Sequence, residues 1–434
     1  MDQGNTAFVL ITAALVLLMT PGLAFFYGGL VKAKSVVSMM MMSFGAIGLI
    51  GVLWVLYGYA ISFSNGGTDG FFGIDGVFGI DWANIGLAGL LPDASDPAGN
   101  FPVLAFAGFQ ATFAIITVAL ISGAIADRAR FGAWMVFAGI WATVVYFPVA
   151  NWVFNFTVGD GGLVDGGWIV YGLQDVLGVG VIDFAGGTAV HINAGAAALA
   201  LALVLGKRVG FAKGINKPHN VPFVLLGAGI LWFGWFGFNA GSEVAADGVA
   251  ALAWINTLAA PAAALLGWLV VEKIRDGKAT SVGAASGAVA GLVAITPACA
   301  ALTPFWAIVL GLLAGAVCAL AIDLKWRLGF DDSLDVVGIH LVGGVLGTLY
   351  LGIFANNTGL IYSGEFNQLA AQAIGAFSVL IYSFVLAFII GIAIEKTMGF
   401  RVKNEDELAG IDTAVHGEEA YLLDEPVGAS SLRA

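Results

Sequence analysis

Apolar residues occur along this chain in long, nearly uninterrupted runs, and polar positions collect in the stretches between them. A helix needs about 20 predominantly apolar residues to cross a ~30 Å hydrocarbon core. On that measure the pattern predicts membrane spans over 6–30, 35–63, 101–126, 131–155, 183–206, 221–240, 246–271, 280–299, 303–324, 334–356 and 367–395. The first run is too long for the apolar region of a secretory signal and has only Asp2 as an early charge. It is therefore expected to be a span of the mature protein. The fold class expected is an all-α integral membrane protein of eleven transmembrane helices.

The basic residues test that count. All 17 Lys and Arg fall in loops after odd-numbered spans, starting with Lys32 and Lys34, or in the tail that holds Arg433. The loops after even-numbered spans hold none. Cytoplasmic loops are rich in Lys and Arg, and this bias sets orientation. The N-terminus is thus expected outside and the C-terminus inside. A wrong span count would scramble the partition.

Composition narrows the class. Of the 434 residues 59% are hydrophobic and only 11% charged. A soluble protein carries about 25% charged residues, so a water-exposed globular surface is excluded. The 62 glycines, Gly311 and Gly315 among them, suit helices that pack closely in lipid. Cys299 and Cys318 sit in or beside apolar runs and read as packing residues rather than a disulfide or metal pair. The outside loops are acidic: 64–100 holds Asp69, Asp75, Asp81, Asp93 and Asp96, and the next long one holds Asp160, Asp165 and Asp175. That charge keeps the exterior soluble, and near an opening it would concentrate cations over the ~10 Å that salt allows. The repeated Gly-Ile-Asp at 73–75 and 79–81 is loop chemistry, not a domain repeat.

Titratable groups at membrane depth are costly and usually functional. Glu272 and Glu395 fall at cytoplasmic span ends, where water is near, but Asp183, His191 and His340 do not. His191 follows Asp183 by eight residues, or ~12 Å along a helix, in a span running outside to inside. His340 lies about six residues into a span that runs back. Each is followed four residues later by glycine, Gly195 and Gly344. Matching residues in two five-helix halves of opposite sense are the signature of an inverted repeat with its site near the midplane.

One buried histidine is usually a packing residue, whereas a matched pair points to function. Two imidazoles are too few for zinc without further ligands. A dry pocket would keep both rings neutral, able to donate and accept hydrogen bonds. That suits a small polar guest better than a hydrated ion. Phe109 and Phe113 share one helix face, and Phe238 lies in the run GWFGFNAGS (Gly234–Ser242). Aromatic faces attract cations by ~0.5–2 kcal/mol, and Ser242 offers a hydroxyl beside them. Taken alone, such rings are more often packing than cage.

These stretches resemble the ammonium transporter family (Amt/Mep/Rh), and more closely its bacterial Amt branch. The likeness is carried by TPGLAFFYGGLVKAKSVV (Thr20–Val37), FQATFAIITVALISGAIADR (Phe109–Arg128), DFAGGTAVHINAG (Asp183–Gly195), GWFGFNAGS, GLVAITPACA (Gly291–Ala300), DDSLDVVGIH (Asp331–His340) and GIDTAVHGEEAY (Gly410–Tyr421). It covers essentially the whole chain. The resemblance implies transport of ammonium or ammonia by a homotrimer in the lipid bilayer of the cell membrane, with one pore in each subunit. No cofactor and no nucleic-acid partner are expected.

By the same resemblance Phe109, Phe113 and Ser242 correspond to an outer ammonium-recruitment site, and Phe113 and Phe238 to a stacked pair that gates the pore. His191 and His340 correspond to twin histidines bonded to each other along the pore. Asp183 corresponds to a carboxylate that supports the recruitment site, and Trp235 to a position close to the pore. A cation recruited at the mouth would shed its proton and cross as ammonia; potassium, with no proton to shed, would be rejected by the cost of desolvation. One departure stands out. The family commonly carries a cage Trp after the fourth span, whereas this chain has Asn151-Trp152-Val153-Phe154. Either Phe154, which aligns with that Trp, forms the wall, or Trp152 or Trp168 swings in.

The expected domains are a transporter unit over 1–396 and a cytoplasmic regulatory tail over 397–434. Gly410–Tyr421 matches the family's regulatory segment, near where a PII-type signal protein docks in many bacterial relatives. Residues 426–434 are expected to be disordered. The runner-up reading is an ammonium sensor that signals through the tail. Both histidines are retained and no soluble signalling domain follows, which disfavours it. A Rh-type gas channel is disfavoured by the serine of the NAGS run. An intramembrane enzyme would need a nucleophile–base pair or a metal set, and the sequence offers neither.

Overall fold

The computed structural model describes residues 1–64, 76–91, 100–159, 162–213 and 217–421. Its long helices fall on the apolar runs: α1 (Gln3–Leu30), α2 (Val36–Ser62), α3 (Val103–Ile125), α4 (Phe131–Phe154), α5 (Gly187–Leu205), α6 (Val221–Gly241), α7 (Gly248–Asp276), α8 (Ser281–Ile295), α9 (Pro304–Ala321), α10 (Val337–Phe354) and α11 (Asn367–Thr397). Polar side chains mark several starts. Asp2, Asp247, Thr280 and Thr303 accept backbone N–H groups at the first turns of α1, α7, α8 and α9, which would otherwise lack partners.

Among the described residues ten helices are long and apolar enough to cross a membrane, and α8, at 15 residues, is shorter. It spans about 22 Å. The apolar pattern predicts 280–299 there, but the helix stops at Ile295. Pro297 has no N–H to continue it. The chain instead turns, so that the Pro297 carbonyl accepts the Phe184 N–H at 3.2 Å and its ring packs on Gly187 at the start of α5. The fifth helix also differs from its predicted limit, starting at Gly187 rather than 183. Small residues bring helices into backbone contact. Gly311 and Gly315 of α9 press directly on the Ala260 and Ala264 carbonyls of α7. Cys299 and Cys318 are free and buried.

The loops that hold the basic residues gather on one face, tied by a buried charge knot. Arg208 grips both carboxylate oxygens of Asp331, at 2.9 Å each, and reaches Asp127 at 3.1 Å. The tail closes over this face. Glu407 accepts the Val209 N–H at 2.6 Å and pairs with Arg401 at 2.7 Å. Asp412 accepts the N–H groups of Val37 and Ser38 at the start of α2. Of the two glutamates expected near water at span ends, Glu395 is exposed and accepts the N–H groups of Phe400 and Arg401, whereas Glu272 is buried and accepts from the backbone and hydroxyl of Thr280.

On the opposite face a two-stranded ribbon, β1 (Phe156–Gly159) and β2 (Gly162–Gly166), follows α4. Asp69, Asp75, Asp93, Asp96, Asp160, the first Gly-Ile-Asp and the tail beyond Tyr421 lie outside the described residues.

Candidate functional site

The site is built from two helix starts of the same design. Asp183 precedes α5 and accepts four backbone N–H groups, from Gly186, Gly187, Thr188 and Ala189, at 2.5 to 3.0 Å. Asp332 precedes α10 and accepts those of Val336 and Val337, at 3.1 and 2.7 Å. Both carboxylates satisfy the unpaired donors of a helix N-terminus. Both stand eight residues ahead of a histidine, His191 or His340. Both histidines ride on a π-helical turn, Gly187–Ile192 and Val337–Leu341. Such widened turns re-aim side chains and recur at functional sites.

The glycines four residues further on explain how the two turns meet. A Cβ on Gly195 would lie 2.5 Å from the Leu341 nitrogen, beside His340, and one on Gly344 would lie 3.2 Å from the His191 Cβ. Each glycine therefore seats the other half's histidine turn. The outcome is a direct contact: the His191 and His340 Nδ1 atoms are 3.2 Å apart, with the rings 27° from parallel. Both residues are buried, and the Nε2 of His191 has no hydrogen-bond partner among the described residues.

A line of rings leads to this pair. Phe113 stacks on Phe238 with centroids 4.1 Å apart and planes 20° from parallel. Phe109 lies 4.9 Å from Phe113, and Phe154 meets the Phe113 ring edge-on at 6.2 Å. Beyond the stack, Trp235 lies almost parallel to His191 at 5.4 Å, fixed by its N–H to the Thr296 hydroxyl at 2.8 Å. Ser242 donates to the Phe238 carbonyl at 2.8 Å, so its oxygen lone pairs remain free to accept. Alongside the histidines and Phe238 lies a cavity of about 10 Å³, walled by Leu23, Phe26, Ile116, Leu120, Leu231 and Val289. That is about the least volume that holds one water-sized molecule. Among the described residues that line it, His191, His340 and Trp235 carry the polar side-chain atoms.

The aromatic alternatives near α4 are thereby separated. Phe154 stands beside Phe113. Trp152 and Trp168 pair with each other at 5.6 Å, and the Trp152 N–H is spent on the Val77 carbonyl. Sequence reasoning named His191, His340, Phe109, Phe113, Phe238, Trp235, Ser242, Phe154 and Asp183. It missed Asp332, although the eight-residue spacing shared with Asp183 is legible in the chain.

The profile of the Ammonium Transporter Family matches residues 7–421. The chain belongs to the ammonium transporter family. It is 53% identical, over 444 aligned residues that cover 97% of it and 90% of the relative, to an ammonium transporter of Mycobacterium bovis. Its fold is similar to the crystal structure of Saccharomyces cerevisiae Mep2, with a TM-score of 0.80 at 34% identity over 93% of this chain and 91% of that one. It is also similar to a protein described as a sensor Amt protein, with a TM-score of 0.84 at 28% identity over 95% and 98%. As a family member it is a multi-pass membrane protein that transports ammonium, a function that is not enzymatic.

Proposed function

We propose that ammonium binds as a cation at Phe109, Phe113, Phe154 and Ser242, loses its proton, and passes as ammonia between Phe113 and Phe238 and along His191 and His340. The observation that carries this reading is the contact of two buried imidazoles in a passage walled by aliphatic and aromatic carbon. An ion would lose its hydration there with almost nothing to replace it, a penalty of many kcal/mol. Ammonia carries no charge and both donates and accepts, so two neutral imidazoles suffice to guide it. At the mouth, ring faces and the Ser242 oxygen exchange for the water of the cation. Trp235 lines the passage next to His191. Asp183 acts from behind, holding the turn that positions that histidine, without touching substrate.

The duplicated carboxylate–histidine–glycine design supports two halves of opposite sense that share one midplane site. With the basic loops inside, the Phe113 stack faces outward and the tail lies in the cytoplasm. The assembly on this reading is a homotrimer with a pore in each subunit. The tail over 397–434 is its regulatory unit, with Gly410–Tyr421 the regulatory segment and a PII-type protein its candidate partner. Glu407 and Asp412 tie the tail to the ends of α5 and α2. The sensor reading gains no support from the site, which keeps both histidines and the stacked Phe113 and Phe238 rings.

The test is flux of labelled methylammonium and of potassium into proteoliposomes holding the intact chain. Saturable methylammonium uptake with potassium excluded is expected. Potassium uptake at a comparable rate would overturn the deprotonation step.

A further inference from the structure

Negative side chains within electrostatic reach of one another around the outer end of α6 divide into two kinds. Asp183 and Asp247 are engaged: the first holds four N–H groups, and the second caps α7 through Val249 and Ala250. Glu243 is not. It is half-buried, yet its carboxylate accepts no hydrogen bond and pairs with no cation among the described residues. It also sits just past the C-terminus of α6 (Val221–Gly241). That end carries the negative pole of the helix dipole, where a carboxylate is repelled rather than stabilised. No Lys or Arg occurs in any loop of that face to offset it.

The turn that carries Glu243 is held against the mouth. A Cβ on Gly241 would lie 3.0 Å from the Phe109 ring and 2.6 Å from Thr12 of α1. The Glu243 Cα is two residues on, at most about 7 Å away. The N–H of Val244 returns to the Gly241 carbonyl at 2.9 Å, and Val244 itself sits at φ 51°. That conformation is uncommon for a β-branched residue. The Ala246 N–H donates to Asn5 of α1 at 3.0 Å. A strained, anchored turn thus carries a carboxylate next to Ser242 that pairs with no donor or cation among the described residues.

Building on the recruitment site described under Proposed function, we propose that Glu243 supplies that site's fixed negative charge and draws small cations to Ser242 and the rings of Phe109 and Phe113. A carboxylate there raises the local concentration of ammonium before any ring is touched. Because its counter-charge is the arriving substrate, it needs no partner in the empty protein. Burial first, and Asp247 second, push the Glu243 carboxyl up to about 7. Among the described residues, Asp183 and Cys299 are further titratable groups around the mouth, the latter within electrostatic reach of Asp183 and Glu243. Recruitment is then strongest when the outside is alkaline enough to ionise Glu243, and it weakens as external pH falls through neutrality.

The experiment measures initial rates of labelled methylammonium uptake into proteoliposomes at external pH 6 to 8, a range in which methylammonium stays protonated. The chains compared are the intact protein, Glu243→Gln, Glu243→Asp and Ser242→Ala, each checked for an unchanged elution volume. Three results together are expected. The intact chain's KM should rise severalfold from pH 8 to pH 6. Glu243→Gln should hold a high KM that does not vary with pH, with Vmax changed far less than KM. Glu243→Asp should keep the pH dependence. A KM for Glu243→Gln equal to the intact chain's at every pH, with Ser242→Ala still raising KM, overturns the proposal and leaves the recruitment site standing. No change of KM in either variant would remove the recruitment site as well.

Discussion

His191 and His340 meet Nδ1 to Nδ1 at 3.2 Å. A hydrogen bond on that line needs one nitrogen with a proton and one without. The donating ring then has a bare Nε2, and the accepting ring carries its proton on Nε2. The pair thus presents one acceptor and one donor to the proposed ammonia path rather than two of either kind. Ammonia can bond to each in turn, and exchange of the two tautomers reverses their order.

The seats under the histidines are the first place to test this. Gly195→Ala and Gly344→Ala each place a methyl group against the opposite histidine turn. Overpacking of this kind costs about 1–3 kcal/mol and should part the rings. Methylammonium uptake should fall about tenfold, the effect of ~1.4 kcal/mol on a barrier, with a lower melting temperature. Gly229→Ala, on α6 with open space around it, should lose neither.

Phe154 stands where the family commonly has tryptophan, and its geometry beside Phe113 makes it the cage wall of this account. The indole face binds cations more strongly than benzene, so Phe154→Trp should gain about 0.5–1 kcal/mol. KM for methylammonium should then drop roughly two- to fivefold. Trp152→Phe removes an N–H bonded to Val77 and should reduce thermal stability while leaving KM unchanged. A KM that responds to Trp152 and ignores Phe154 would reassign the wall.

Asp183 holds four backbone N–H groups with two oxygens. Asparagine keeps one acceptor oxygen and turns an NH₂ toward the rest. Bonds to a charged group contribute about 1.5–3 kcal/mol each, so Asp183→Asn should destabilise the protein by several kcal/mol. Asp332→Asn, with two N–H groups at stake, should cost about half as much. Thermal unfolding in detergent measures both, and equal melting temperatures for all three chains would contradict the capping role.

The charge knot of the basic face carries a pH signature. Burial pushes the Asp331 carboxyl up, but its bonds to Arg208 and the nearby Arg128 charge outweigh that and hold it below the usual carboxylate range. An acid held low in the folded state adds stability above its unfolded range, near pH 4, and loses it as pH falls through the folded value. The intact chain should therefore melt at a falling temperature below about pH 4. Arg208→Ala should cost about 3–5 kcal/mol at neutral pH by stranding Asp331 and Asp127, and should flatten part of the acid slope.

What the sequence made legible follows from where the physics is local. Lipid forces each span to satisfy its own backbone, so α1 through α11 could be read from runs of apolar residues. Phe109 and Phe113 share a face by spacing alone. The pairing of Phe113 with Phe238 was implied by the family resemblance and not by spacing, since it depends on how α3 and α6 cross. The end of α8 at Ile295 was missed because apolar residues continue past it, and Pro297 alone marks the turn. Gly195 and Gly344 were visible as a matched pair, but their use as seats for the opposite helix appears only in three dimensions. The caps that Asp412 and Glu407 provide join positions about 375 and 198 residues apart in the chain, and no local pattern announces them.

The most direct test of the account is simultaneous recording of methylammonium uptake and membrane current in proteoliposomes, comparing the intact chain with His191→Ala plus His340→Ala. Loss of the two imidazoles should abolish selective ammonia passage: uptake should collapse, or charge and potassium should begin to leak through the vacated space. Unchanged uptake together with undiminished exclusion of potassium in the double variant would show that the passage does not run along these rings.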